Sequence, residues 1–234
     1  MAAQIHIPSR FNGPPDSGNG GYSCGVVANF IEGPARVRLH VPPPLDTPMV
    51  VVTLEDGRVE LHDAGTLVAS AAPAQLALEV PAAPGVEEAA AAMARHPARD
   101  AHMFPTCFVC GPKRPQHDGM ELYPGPVNDW NLLACVWHPD ASFADDNGNI
   151  RTEFMWSALD CPGYYAALRG EMRHAVLGQL EGQLLAPVAA GQTLVVYAWP
   201  MGNEGRKHYG GTAVASASGE VYASARTTWI ELKS

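Results

Sequence analysis

The chain has 234 residues, 47% hydrophobic and 17% charged, which is the composition of a globular protein and excludes a disordered tail or a coiled coil. No apolar run approaches the roughly 20 residues that a membrane-spanning helix needs, and a net charge of -9 argues against nucleic acid or an anionic membrane as a partner. The five cysteines favour reduced thiols, and the absence of a basic-then-apolar N-terminus predicts a cytoplasmic protein.

Frequent glycine and proline divide the chain into short segments, which favours many strands and few helices. The first predicted helix covers residues 20–32, and an Ala-rich linker helix follows at 86–96. A third helix is predicted over 153–169, with a kink or an interrupted turn at Pro162. Segments rich in Val, Thr and Tyr predict strands at 37–41, 49–54, 66–70, 132–137, 194–199, 211–217 and 221–232.

The two halves of the chain follow the same order of elements. The segment LHVPPPLDTPMVVVTL in the first half is similar to LLAPVAAGQTLVVYAW in the second, and a charged or glycine-rich turn follows each. A repeat of this length indicates a duplicated domain. We therefore predict a first, shorter repeat over residues 1–96, which includes the linker helix, and a second repeat over 97–234.

Three segments of the second half carry a resemblance to a known family. They are CFVCGPKRPQHDGMELYPG from Cys107, then LLACVWHPD, then GNIRTEFMWSALDCPG. Together they resemble the hotdog-fold thioesterase superfamily, whose central helix begins at a motif like HGG-x5-LLD. The resemblance implies an α+β double hotdog, with two long central helices each wrapped by a curved antiparallel sheet, in which the two copies imitate the usual dimer.

The same resemblance implies a thioester hydrolase, most simply an acyl-CoA thioesterase, without a cofactor. Such enzymes use a helix carboxylate as base or nucleophile and N–H groups at a helix N-terminus to polarise the thioester carbonyl. The motif places an acid at Asp160 in the second copy, and it places Asn19, Gly20 and Gly21 on His-Gly-Gly in the first. The implied composite site uses Asp160 with the N–H of Gly21 or Tyr22.

The second composite site implied by the motif lacks its acid. Its acid position falls on Ala28, and its His-Gly-Gly positions fall on Arg151, Thr152 and Glu153. Each copy has therefore lost the part that the other retains. This complementary loss predicts one active site between the repeats, with Asn19 and Gly20 among its substrate-binding residues.

Three further residues are candidates for substrate binding. Asn12 matches an amide that orients the acyl carbonyl in some family members, although a turn beside Gly13 explains it equally well. Glu153 could act as a second carboxylate, and its simpler interpretation is a first-turn acid that complements the helix dipole. Tyr164 lies one turn beyond Asp160 and could line an acyl pocket or pack in the core.

Several other interpretations compete with this one. A non-catalytic protein that binds acyl-CoA or another apolar ligand is the main alternative, whereas a hotdog dehydratase is disfavoured because neither helix carries Asp-x4-His. The G-x-S-x-G match at residues 21–25 lacks the preceding strands of a nucleophile elbow. A possible homodimer of pseudodimers stays open.

A zinc site is a weaker possibility near the start of the second repeat. Cys107 and Cys110 form a single C-x-x-C, with His102 before it and His117 after it. Four such ligands can hold zinc, but one C-x-x-C with loosely spaced histidines is a weak signal. The resembling family often keeps a similar turn without metal, so the sequence favours no metal site.

Overall fold

The computed structural model describes residues 3–98 and 101–233, and within them the strands form one antiparallel sheet of 11 members. The strands are β1 (Ala3–Ile5), β2 (Ala35–Leu39), β3 (Met49–Thr53), β4 (Val59–Asp63), β5 (Thr66–Pro73), β6 (Gly125–Pro126), β7 (Leu133–Trp137), β8 (Ala175–Leu184), β9 (Leu194–Glu204), β10 (Lys207–Ser216) and β11 (Val221–Glu231). Their order across the sheet is β1-β3-β4-β5-β2-β8-β11-β10-β9-β7-β6. The strands β1 to β5 are thus neighbours in one half of the sheet, and the strands β6 to β11 are neighbours in the other half.

All of the strands predicted from sequence are present, with their ends shifted by a few residues. The sequence missed β1, β4, β6 and β8. The most consequential omission is β8, whose two internal glycines, Gly178 and Gly182, weaken the strand pattern that its apolar residues would otherwise show. In β2 the pattern is clear, since Ala35 and Val37 are buried while Arg36 faces solvent.

The two halves of the sheet meet where β2 pairs antiparallel with β8. Val37 lies opposite Leu180, and both are fully buried. Next to them, Arg36 Nε lies 2.9 Å from the carboxylate of Glu181. This pairing joins the N-terminal and C-terminal strands into one continuous surface.

The helices under the sheet are shorter than the sequence predicted. The first, α1 (Gly20–Ala28), ends before the predicted limit of residue 32. The helix predicted over 153–169 is divided into α3 (Thr152–Ala158) and α4 (Cys161–Ala167). Pro162 explains the division, because it has no N–H to donate and its ring conflicts with the carbonyl four residues earlier. The expectation of two long central helices is therefore corrected, whereas the interrupted turn at Pro162 is confirmed.

The helices α1 and α3 approach each other closely and run antiparallel. A Cβ on Gly21 would overlap the Asp160 side chain and lie 2.7 Å from the carbonyl oxygen of Trp156. A Cβ on Gly25 would lie 2.5 Å from the Cα of Glu153. The two glycines are required at this crossing because any side chain there would separate the helices.

The predicted linker helix is α2 (Val86–Met93), and one of its faces is packed. Ala89 and Ala92 are fully buried, and Ala89 shares an apolar cluster with Tyr197 and Trp199 of β9. Although we assigned it to the first repeat, α2 thus packs against strands of the second half. Within the described residues, every helix is too short or too polar to cross a membrane.

Candidate active site

Asp160 lies in the break between α3 and α4, where its backbone leaves helical geometry with φ -86° and ψ -84°. Its side chain is only 1% exposed and lies in the wall of a cavity. A carboxylate buried in this way needs hydrogen bonds, because its charged form loses the solvation of water.

The N-terminus of α1 supplies those hydrogen bonds. Gly21 donates its backbone N–H to Asp160 Oδ2 at 2.8 Å, and Asn19 donates its side-chain Nδ2 to the same oxygen at 3.0 Å. Asn19 is also the N-cap of α1, because its Oδ1 accepts the N–H of Tyr22 at 2.9 Å. One amide side chain therefore caps the first-half helix and holds the second-half carboxylate.

The other carboxylate oxygen of Asp160, Oδ1, differs from Oδ2 in its hydrogen bonding. Among the described residues, Oδ1 has no hydrogen-bond partner. Burial raises the pKa of Asp160 to about 7, and the hydrogen bond from Gly21 opposes part of that rise. A carboxyl group with one oxygen anchored and the other unpaired can exchange a proton at the unpaired oxygen.

Only part of the first turn of α1 remains available to a ligand. The N–H of Gly21 is bonded to Asp160, and that of Tyr22 is bonded to Asn19. Gly20 is the first residue of α1 and lines the cavity. Helix geometry gives the N–H of that first residue no acceptor within the helix.

The cavity has a volume of about 330 Å³, near the lower end of the range for small-molecule sites. Asn19 and Gly20 enter its wall from the first half of the chain, and Asp160 enters from the second. Most of the remaining wall is apolar and also comes from both halves: Leu39, Val41, Met103, Leu177 and Trp229.

Comparisons with known proteins bear on the fold of this chain. No protein-family model matches it, and no curated protein matches it in sequence. A candidate thioesterase from Novosphingobium aromaticivorans DSM 12444 aligns in structure with a TM-score of 0.66 at 12% identity, over 98% of this chain and 95% of that one. The acyl-CoA thioesterase II TesB2 of Mycobacterium marinum aligns with a TM-score of 0.62 at 12% identity, over 93% and 90%.

A third solved structure is of a protein described as having a hot dog fold. A protein of unknown function with a hot dog fold from Alicyclobacillus acidocaldarius aligns with a TM-score of 0.57 at 10% identity, over 99% of this chain and 93% of that one. The chain has a hotdog fold. The resemblance drawn from the sequence is thus confirmed at the level of the fold.

Within this hotdog fold, four of the predicted site residues lie together at the cavity. Asn19, Gly20, Asp160 and Tyr164 line it, and Gly21 lies behind this wall with its N–H bonded to Asp160. The Tyr164 hydroxyl donates to the carbonyl oxygen of residue 173 at 2.6 Å, so the ring is held in place and its face can line the cavity.

The other three predicted residues have different roles in the structure. Asn12 lies outside the cavity, where its Oδ1 accepts from Arg114 Nη1 at 2.8 Å. The ring of Tyr22 stacks on Phe11 in the aromatic core at a centroid distance of 4.2 Å. Glu153 pairs with Arg151 at 3.3 Å, also outside the cavity lining. Asn12 and Glu153 therefore lie away from the cavity, and the Tyr22 N–H already bonds to Asn19, while the predicted roles of these three residues stay predictions.

A cluster of cysteines shares the cavity with Asp160. The Sγ atoms of Cys107, Cys110 and Cys161 all lie within 4.8 Å of one another. His102 is beside them, with Nε2 3.2 Å from Cys110 Sγ. Hydrogen bonds from the thiols of Cys110 and Cys161 lower the pKa of Cys107 well below its usual value. The sequence had pointed to the C-x-x-C and His102, but it did not include Cys161.

His117 was the other histidine in the candidate zinc set, and the structure separates it from the cysteines. It is exposed in a turn, with its backbone N–H bonded to Glu121. Its place in the cluster is taken by Cys161, which follows Asp160 in the break before α4.

Proposed function

We propose that this hotdog protein is a thioester hydrolase that acts on acyl-CoA, with one composite active site between two hotdog repeats at residues 1–96 and 97–234. The observation that carries the proposal is the 2.8 Å bond between Gly21 N and Asp160 Oδ2, in the wall of a single cavity. It joins a helix N-terminus from the first repeat to an acid from the second. The thioesterases that share the fold support the reaction class.

Asp160 acts as the general base in this proposal. Its Oδ2 is anchored by Gly21 and Asn19, so the carboxylate keeps one orientation, and the buried, unpaired Oδ1 is the oxygen left to act on a bound substrate. Oδ1 accepts a proton from water while the water oxygen attacks the thioester carbonyl carbon. When the C–S bond breaks, the proton passes to the departing sulfur, giving a carboxylic acid and a free thiol.

The oxyanion that forms during this attack needs a hydrogen-bond donor. Gly21 and Tyr22 have their N–H groups committed within the protein, which leaves the N–H of Gly20 as the first-turn donor at the cavity wall. The positive end of the α1 dipole favours negative charge at this point. We therefore assign the oxyanion contact to Gly20 rather than to Gly21 or Tyr22.

The cavity suits the acyl end of a substrate better than its carrier. A volume of about 330 Å³ with walls such as Leu39, Leu177 and Trp229 accepts a short or medium apolar chain. The charged nucleotide of coenzyme A would remain at the surface, since burying its phosphates without cationic partners would be costly.

The test is thioester cleavage by Asp160→Asn with acyl-CoAs of increasing chain length. The asparagine Oδ1 can still accept from Gly21 and Asn19, so the fold should persist while the base is lost. We expect kcat to fall by about 10²–10⁴, the usual contribution of general acid–base catalysis. The matched control is Glu181→Gln, which also removes a buried carboxylate but lies on β8 in a pair with Arg36. Parent-like turnover by Asp160→Asn, or an equal loss in both variants, would contradict the assignment.

The second candidate function is binding of an acyl-CoA or another apolar ligand without chemistry. It is favoured by the internal hydrogen bonds of Gly21 and Tyr22, which remove two of the expected oxyanion donors. Calorimetric titration followed by mass analysis separates the two functions. A ligand that binds to the parent protein and is recovered intact after hours of incubation would favour the binding protein.

A further inference from the structure

The three cavity cysteines have the spacing of metal ligands. Cys107 Sγ and Cys161 Sγ are 3.8 Å apart, and Cys110 Sγ completes a group that fits within 4.8 Å. Thiolates bound to Zn²⁺ at about 2.3 Å in tetrahedral geometry are about 3.8 Å from one another. The Cys107–Cys161 separation therefore already matches that of a shared zinc ion, and the other two sulfur–sulfur separations are no longer than 4.8 Å.

We propose that Cys107, Cys110 and Cys161 bind a Zn²⁺ ion through three thiolates. Soft sulfur ligands select zinc over magnesium and calcium, which prefer oxygen. Binding displaces the thiol protons to solvent, so the three sulfur atoms coordinate as anions. This inference stands apart from the thioesterase proposal, because it depends only on the positions of the sulfur atoms and their neighbours.

His102 acts as a hydrogen-bond donor to this site rather than as a ligand. The backbone N–H of Phe104 donates to His102 Nδ1 at 3.0 Å, so the neutral ring carries its proton on Nε2. That nitrogen lies 3.2 Å from Cys110 Sγ and 3.0 Å from the Tyr165 hydroxyl. An N–H directed at a ligating sulfur orients it and disperses its negative charge. The fourth position of the metal is then left for water or a substrate atom, as in sites with three protein ligands.

A disulfide is the competing use of the same atoms. It would bring two of the sulfur atoms to about 2.05 Å and leave the third unpaired. The observed group holds three thiols together instead of two, with His102 beside them. Three sulfur atoms gathered from two distant segments are accounted for by one metal ion and not by one disulfide.

The first experiment uses the parent protein without any substitution. We expect elemental analysis of the purified full chain to give about one zinc per molecule, the stoichiometry of one set of three thiolate ligands. Replacement by Co²⁺ should produce the charge-transfer absorption of cobalt–thiolate bonds. Alkylation of the unfolded, metal-stripped chain without reductant should modify all five cysteines. A metal-free protein without the cobalt band, or one with a disulfide, would overturn the proposal.

Variants then locate the site. Cys107→Ser, Cys110→Ser and Cys161→Ser should each lower zinc content and remove much of the cobalt–thiolate absorption. The matched controls are Cys24→Ser and Cys135→Ser, which replace the other two buried cysteines. His102→Gln should weaken zinc affinity about 10–100-fold without changing the number of cobalt–thiolate bonds, as expected of a positioning residue. Equal metal loss in the control variants, or loss in none, would overturn the assignment to these three sulfur atoms.

Discussion

The two ends of the α1–α3 crossing have similar backbones and different chemistry. At one end, Gly21 packs against Asp160, and the buried polar groups open to a cavity. At the other end, Gly25 packs against Glu153, and Asn29 Nδ2 donates to the Glu153 carboxylate at 3.4 Å. Both ends need a glycine for close approach, but only the first combines an acid with a capped helix N-terminus.

Helix packing and site chemistry are therefore separate requirements at this crossing. The glycine contact fixes the distance between helices at both ends, so it does not by itself indicate a site. The distinguishing features of the first end are Asp160, which is 1% exposed, and the N-cap Asn19, which is 2% exposed. At the second end the N-cap of α3 is Arg151, whose side chain makes no capping bond.

The largest effect should come from placing an acid at the second end. Ala28 is 5% exposed and is followed by Asn29, which already contacts the Glu153 carboxylate. Ala28→Asp would bury a charge without a partner, and we expect a loss of about 3–5 kcal/mol in the free energy of unfolding, as for an uncompensated buried charge. Denaturant unfolding of the parent and the variant measures this loss of stability. In an Asp160→Asn background, recovered thioester cleavage would show that the second end can also form a site, contrary to this comparison.

A smaller loss should follow from adding a methyl group at the first end. Gly21→Ala forces a Cβ against Asp160 and the Trp156 carbonyl, so the helices must separate. We expect the free energy of unfolding to fall by about 1–3 kcal/mol, the usual cost of overpacking. Gly85→Ala is the control, since its added Cβ would meet no atom within 4 Å. A similar fall in both variants in thermal or denaturant melts would remove the packing argument.

The sequence was most informative about the active site, because the two parts of one motif lie in different halves of the chain. The division of the His-Gly-Gly and Leu-Asp positions between the halves predicted that Asp160 would meet the start of α1, and the two are 2.8 Å apart at Gly21. The same motif could not reveal that this contact occupies the Gly21 N–H. That fact depends on the turn at Asp160 before α4, which points the carboxylate at α1.

Other features depended on contacts that no local pattern encodes. Cys161 is 54 residues from Cys107, and only the return of the chain under the sheet brings them together. Asn12 resembled a binding amide in sequence, but its Oδ1 accepts a hydrogen bond from Arg114, which is more than 100 residues away in the chain. The strand β8 was missed because Gly178 and Gly182 interrupt its apolar residues, although it pairs with β2 at the junction of the two halves.

The smallest predicted effect compares the N-cap of α1, Asn19, with the N-cap of α3, Arg151. Asn19→Ala removes the cap on Tyr22 and one of the hydrogen bonds to Asp160, and we expect a loss of about 1–2 kcal/mol in the free energy of unfolding. Asn19→Ser should recover the capping part alone, because its hydroxyl can reach Tyr22 N–H but not Asp160. Arg151→Ala should cost less than about 1 kcal/mol, since within the described residues that half-exposed side chain makes one ion pair, with Glu153, and a contact with the Phe154 ring. Equal losses for the Asn19→Ala and Arg151→Ala variants would mean that the two ends of the crossing are not energetically distinct, and the single composite site would lose its structural basis.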